Sequence, residues 1–361
     1  KYDFKPMMWG DMFIKYDNNG VYYNYDPIVK EETKKLKPEN VHLIYWDYYN
    51  LDKKLIKGMV KGFSEFDEDV IWAGGAWSWN GFAPNNDFTI ETFKKMFPVM
   101  RENGVRKFIL TMWGDNGGEC SRYALLPTIF MFSEMAKGNY DIKNIKEKFF
   151  DKYNIKYDDY LLIDLLNNPE KNKTKKPRTA AKYMLYDDPF MGIFESTVGL
   201  KGEATYKYLK TKLNKMSKDN KFGYLFNTLS KLSAVLEYKY TLSTLTRKYY
   251  KENNKDEMSK LVIKYDKLVK RIEEFYSAFK VQWQFEAKSY GFEVETARIG
   301  GLIQRVKDCS ILLKDWIING TKIEMLDGVH LPFDESYDKF LEDGEPIQFN
   351  SYGSSYSRCV K

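Results

Sequence analysis

Four short apolar runs in the first third of the chain end in the same way, and this repetition limits the possible folds more than any other feature. They close on Met8, Ile44, Ala73 and Met112, within "PMMWGDMF" (6–13), "LIYWDYY" (43–49), "IWAGGAWSWNGF" (71–82) and "TMWGDNGGE" (111–119). Each run has strand length, and each leads into tryptophan with a short polar partner: Trp9 with Asp11, Trp46 with Asp47, Trp77 and Trp79 with Asn80, Trp113 with Asp115. Helical patterns fill the gaps. In "DFTIETFKKMFPVMRENG" (87–104), Phe88, Phe93, Met96, Phe97 and Met100 keep helical spacing and Gly104 stops the helix. "DPIVKEETKKLKPEN" occupies the gap before the second run. Strands alternating with helices across short loops predict parallel strands in an α/β layer or barrel.

From residue 118 to about 176 the pattern is helical and closes on the polar stretch "NNPEKNKTKKPRT". Residues 178–320 read as all-helical. In "MSKLVIKYDKLVKRIEEFYSAF", Leu261, Tyr265, Leu268, Ile272, Phe275 and Phe279 recur at alternating four- and three-residue spacing, the stripe of a bundle helix. The expected organisation is an α/β domain over 1–176, a helical bundle over 177–330 and an extended tail over 331–361.

Composition excludes several classes of function. With 43% hydrophobic and 30% charged residues the chain is globular rather than disordered. The net charge of +6 comes from 57 basic residues interleaved with 51 acidic ones, a solvated surface rather than a nucleic-acid footprint. No apolar run approaches the length of a membrane span. Cys120, Cys309 and Cys359 are odd in number and far apart, which fits a reducing compartment, so a cytoplasmic location is expected. His42 and His330 are the only histidines, too few for a His-rich metal site or a Ser-His-Asp triad; no metal or organic cofactor is implied. The opening "KYDFKPMMWG" has no initiator Met and no leader pattern, so the chain reads as cut from something longer.

In parallel strand–helix folds, ligands bind where the chain leaves the C-terminal ends of the strands. A lone tryptophan there is usually packing, and a lone Asp is usually a helix cap. Four such pairs in successive units describe a sugar site: indole faces stack on a pyranose, and carboxylates and amides take its hydroxyls. Trp283 and Trp316, on helices, are expected in the bundle core.

These segments resemble the family 20 glycoside hydrolases, the β-N-acetylhexosaminidases, and within them the subgroup whose barrel is followed by a helical domain. "KPMMWGDMF", "LIYWDYY", "WAGGAWSWNGFAP" and "MWGDNGGE" are similar to the ends of that barrel's fifth to eighth strands. "LYDDPFMGIFE" (185–195) and "GFEVETARIGGLIQR" (291–305) resemble segments of its helical domain. The resemblance implies the second half of a (β/α)8 TIM-type barrel plus a C-terminal helical domain. The parent enzyme would remove terminal N-acetylglucosamine or N-acetylgalactosamine from glycans. It further implies that Trp9 is a pocket wall and that Trp46 and its neighbours are the sixth-strand aromatics. Trp77 would be the floor under the N-acetyl group, and Trp113 with Asp115 the counterpart of a Trp-Gly-Glu whose acid binds the hydroxyls at C4 and C6.

Three departures stand out. Asp115 is shorter than the family's glutamate. Ser78 stands where many members have the tyrosine that steadies the acetamido carbonyl; Tyr45 or Tyr48 would have to substitute. The family's Asp-Glu pair, which orients the acetamido nucleophile and protonates the leaving oxygen in a retaining, substrate-assisted reaction, has no counterpart before Trp9. Asp67-Glu68 precedes its strand and Asp334-Glu335 follows the bundle, so neither fits. The expectation is a hexosaminidase whose acid pair lies upstream, completed by a missing N-terminal half barrel or a second copy. This chain alone would be inactive. The alternative is a non-catalytic glycan-binding protein that uses the same pocket.

Overall fold

The computed structural model describes residues 4–67, 69–79, 81–171, 177–195, 201–218 and 221–330. Two compact units form, and they do not divide the chain at a single point. One holds Lys1–Trp77, Asn86–Trp113 and Leu125–Tyr157; the other holds Ser78–Asn85, Gly114–Ala124 and Asp158–Lys361.

The first unit is built on four strands, β1 (Met7–Trp9), β2 (His42–Trp46), β3 (Ile71–Gly75) and β4 (Lys107–Thr111), all parallel and in the spatial order β1-β2-β3-β4. Trp9 and Trp46 are therefore the last residues of their strands rather than the first of the following loops. Helices α1 (Asp11–Asp17), α2 (Glu31–Leu36), α3 (Lys53–Ser64), α4 (Asn86–Glu102), α5 (Leu126–Ala136) and α6 (Ile142–Tyr153) follow or connect them. Local chemistry sets their ends. Asp52 caps α3 by accepting from the amides of Lys54 and Leu55, and Gly104, at φ +83°, ends the turn after α4.

Register separates the two faces of the sheet. Tyr45, Trp72 and Phe108 pair in one row and pack on helices. Tyr45 stacks on Phe63 of α3 at 5.1 Å, and Trp72 meets Phe97 of α4 edge-on at 5.2 Å and Phe132 of α5 at 6.0 Å. The rows Trp9–Ile44–Ile71–Lys107 and Trp46–Ala73–Ile109 point the other way. There Ile44, Ile71 and Ala73 are buried while Trp46 and Ile109 are only half-covered, and Met7 and Trp9 are exposed.

The second unit is helical: α7 (Tyr157–Leu161) leads to α8 (Ala180–Tyr186), α9 (Gly202–Met216), α10 (Gly223–Lys239), α11 (Leu242–Lys251), α12 (Lys255–Glu286) and α13 (Phe292–Asn319). The stripe Leu261, Tyr265, Leu268, Ile272, Phe275 and Phe279 is buried along α12, which packs against α10 and α13. Gly291, at φ +93°, turns the chain into α13. Trp316 is buried beside Tyr250. Trp283 is half-buried and donates from Nε1 to the Lys288 carbonyl at 2.7 Å. The ends of the polar stretch 167–179 are held rather than solvated: Asn167 donates to the carbonyls of Ala83 (2.8 Å) and Pro84 (3.2 Å), and Asn85 donates to the carbonyl of Arg178 (2.8 Å). The tail 331–361, with Cys359 and Asp334-Glu335, lies outside the described residues. Among the described residues no helix is long and apolar enough to cross a membrane, and no cluster of three His, Cys, Asp or Glu side chains is arranged to hold a metal.

Candidate functional site

Trp9 ends β1 and Trp113 follows β4, so they stand at opposite edges of the sheet. Adjacent strands lie about 4.8 Å apart, so a flat sheet would separate these edges by about 14 Å. Their ring centroids are nevertheless 6.1 Å apart, tilted by 53°. The two indoles lean toward each other over the face turned away from α3, α4 and α5. Both remain open to solvent, at 38% and 40% exposure.

A second aromatic group stands at the end of β2. Trp46 lies against Tyr22 (4.8 Å) and Tyr48 (5.3 Å), and the Tyr22 hydroxyl donates to the Trp46 carbonyl at 2.9 Å. Hydrogen bonds that the Tyr48 hydroxyl oxygen accepts from Thr111 and Trp113 join this loop to the end of β4.

Tyr45 and Asp47 are enclosed. Asp47 accepts from the Tyr45 hydroxyl and Asn50 Nδ2 (both 2.7 Å) and from the amides of Tyr49 and Asn50 (both 3.1 Å). Burial pushes its carboxyl upward, and these donors oppose the shift. The pair shapes the loop that presents Trp46 and Tyr48. Asp11 opens α1 and is ion-paired with Lys15 at 2.8 Å. Trp77 is buried, its amide donating to Thr89 Oγ1 at 3.1 Å. Asp67 pairs with Lys37 at 2.9 Å and accepts from the Leu43 amide at 3.0 Å, at the start of β2 rather than its C-terminal end.

The remaining candidates belong to the helical unit. Ser78 and Trp79 are buried there, and Asn80 lies outside the described residues. Asp115 is exposed and opens a short 3-10 turn, its carboxyl raised by partial desolvation. Gly117, at φ +120°, makes that turn possible. A side chain there would come within 2.8 Å of both Glu119 Oε1 and Glu295 Oε1.

That contact exposes a charged cluster that the tryptophan pattern does not predict. Lys182 is ion-paired with Glu119 with both side chains fully buried, and Arg298 reaches Glu295 at 3.2 Å and Glu119 at 3.7 Å. Burial, with Glu119 beside it, pushes Glu295 up to about 7. Nearby in sequence, Asp188 is held by Arg305 through Nε (2.6 Å) and Nη2 (3.2 Å), tying "LYDDPFMGIFE" to "GFEVETARIGGLIQR". Asp187, fully buried, is raised to about 8 by desolvation. The available signal was the acids inside those quoted segments. Sequence spacing gave no indication that they pair with one another.

Chemically, the first unit offers an open aromatic surface at its strand ends and the second an exposed carboxylate, Asp115. No curated protein matches the chain. Among solved structures, one similar to it is a GH138 enzyme targeting pectin rhamnogalacturonan II, at 11% identity and a TM-score of 0.38, covering 79% of this chain and 54% of that one. The chain thus spans about half the length of that structure. The family model described as the Glycoside Hydrolase 20C C-terminal domain matches residues 158–342, beginning where the last segment of the helical unit begins. With just over half of its length matched in this way, the chain belongs to the glycoside hydrolase 20C family.

Proposed function

We propose that the chain is the C-terminal part of an exo-acting β-N-acetylhexosaminidase, supplying the second half of its (β/α)8 barrel and the helical domain that follows it in sequence. One observation carries this reading: a four-stranded parallel sheet in sequential order, one face of which packs on α3, α4 and α5 while Trp9 and Trp113 meet over the other. Doubly wound sheets reverse their strand order at a switch point, and this sheet does not reverse. Parallel sheets have both faces covered. The exposed Met7 and Trp9, on the face that also carries half-covered Trp46 and Ile109, therefore suit a barrel interior that four further strands would close.

In that arrangement Trp9 and Trp113 stack on the faces of the terminal N-acetylhexosamine. Tyr48, which accepts from Trp113 and keeps 8% of its surface exposed, is better placed than the fully enclosed Tyr45 to steady the acetamido group. The family resemblance gives Asp115 the role of accepting from the sugar hydroxyls. The Asp-Glu pair belongs to the strands that complete the barrel. The acetamido oxygen attacks C1, and the configuration is retained. The partner is an N-acetylhexosaminide glycan, and the cytoplasm is the expected location.

The test is hydrolysis of an aryl N-acetyl-β-glucosaminide by the full-length protein, with the anomer of the first product read by NMR. Release of the β-anomer supports the reading. The α-anomer as first product sinks it, and sugar binding without turnover favours a glycan-binding protein instead.

A further inference from the structure

Helix α11, in the helical unit, buries a polar face: Leu242, Ser243, Thr246 and Arg247 are turned inward. Thr246 is satisfied, since its hydroxyl donates to the Leu242 carbonyl at 2.7 Å and lies 2.8 Å from the Tyr265 hydroxyl. Arg247 is not. Only 6% of its surface is exposed, and its Nε and Nη1 are buried without a hydrogen-bond partner. Among the described residues its guanidinium forms no ion pair either. Such a group is costly to keep, because its charge has left water with nothing in exchange. Burial accordingly pulls its pKa below the usual value.

Two acids act on Arg247, Glu195 and Asp188, and both are already engaged. Asp188 takes Nε and Nη2 of Arg305, at 2.6 and 3.2 Å. Glu195 accepts from the amides of Ser243 and Thr244, both at 3.1 Å, and from the Thr244 hydroxyl. Ser243, one helical turn before Arg247, shares the defect: its Oγ is buried without a partner. A Cβ on Gly192 would overlap that hydroxyl, so the glycine, at φ +55°, keeps the space beside it clear. Residues four apart on a helix are neighbours, with Cβ atoms about 5–6 Å apart. A guanidinium and a hydroxyl can both donate, and donors left over on one buried face complement an oxyanion.

We propose that Arg247 and Ser243 form an anion site inside the helical unit that takes a phosphate or sulfate group. The guanidinium holds two of its oxygens and the Ser243 hydroxyl a third. Donors from two side chains one turn apart suit a tetrahedral group better than a planar carboxylate. The site does not depend on the proposed glycosidase reaction.

The test is binding of inorganic phosphate and of sulfate to the full-length protein by calorimetry, with melting compared in chloride and phosphate at equal ionic strength. Saturable binding should raise the melting temperature, because the anion binds only the folded state. Arg247→Met should abolish both the binding and the rise. In chloride this variant should melt no lower than the native protein, since it removes an unpaired charge and keeps an apolar stem. Ser243→Ala should weaken phosphate binding by roughly tenfold, as for one hydrogen bond to a charged group. Glucose 6-phosphate distinguishes the source: binding that Arg247→Met removes means the site accepts a phosphate carried on a larger molecule, and binding of inorganic phosphate alone means a free ion. No saturable binding of either ion would mean that water satisfies these donors. A response that survives Arg247→Met would mark an adventitious ion only. A variant melting well below the native protein in chloride, with phosphate binding unchanged in Ser243→Ala, would mean that Arg247 already has a partner. Each of these overturns the site.

Discussion

At the residue scale, two kinds of side chain behave differently. Trp113 is open to solvent and touches Trp9, so its removal should change binding more than folding. In the full-length protein Trp113→Ala should weaken N-acetylglucosamine binding by about 1–3 kcal/mol, read by calorimetry, with the melting temperature little changed. The Glu119–Lys182 pair is the reverse, because both partners are fully buried. Lys182→Met would strand the Glu119 carboxylate beside Glu295 and should destabilise the fold by about 3–5 kcal/mol, measured by urea denaturation. Glu295 adds a pH dependence. Its folded pKa of about 7 exceeds the usual carboxyl value, so between about pH 4.5 and 7 the folded state holds a proton that the unfolded chain has released. Stability from this group is therefore lost as pH rises through that window. Glu295→Gln removes the loss, so its stability relative to the native chain should improve by on the order of 2–3 kcal/mol from pH 4.5 to pH 8. A difference that stays flat with pH would refute this.

At the element scale, α3 illustrates how packing overrides propensity. Alanine in a helix interior is normally better than glycine by about 1 kcal/mol. A Cβ at Gly58, however, would overlap the Tyr25 carbonyl, and one at Gly62 would press into Pro27. Gly58→Ala should therefore destabilise the protein by about 1–3 kcal/mol through overpacking, seen as a lower urea midpoint. Alternatively, an unchanged or higher midpoint would mean that the segment around Tyr25 gives way. The same close approach lets the loop carrying Tyr22, which braces Trp46, lie flat on the helix.

For the whole molecule, the decisive feature is the sheet face turned away from α3, α4 and α5. Among the described residues the outer edges of β1 and β4 pair with no further strand, and with half-covered Trp46 and Ile109 and exposed Met7 and Trp9 they leave apolar surface and edge backbone open. The 1–361 chain by itself should self-associate or aggregate, as judged by light scattering after size exclusion. Co-expression with an N-terminal half barrel should yield a monodisperse species. A cooperatively melting monomer of 1–361 would count against the half-barrel reading. The same chain should release no measurable nitrophenol from an aryl N-acetyl-β-glucosaminide, because general acid catalysis contributes ~10²–10⁴-fold and the proposed acid lies elsewhere.

Local pattern was enough to determine the elements. The four apolar runs became four parallel strands, and the helical stretch 87–104 became α4 ending near Gly104. The stripe from Leu261 to Phe279 became the buried face of α12. These signals lie within a few residues of one another, so periodicity and caps reveal them. The motifs at the strand ends were equally visible, and so was the family they resemble. Tertiary structure alone decided which of those residues face a ligand. Asp47 and Tyr45 satisfy each other inside a loop, Trp77 and Trp79 are buried, and Trp9 and Trp113 stay open. It alone joined Glu119, Lys182, Glu295 and Arg298, and it alone set Tyr224 on Phe285. Apart from Glu295 and Arg298, which are three residues apart on one helix, these partners lie 61 to 179 residues apart in sequence and leave no periodic trace. Whether a carboxylate caps a loop, neutralises a buried lysine or waits for a sugar depends on what the fold brings within about 3 Å of it.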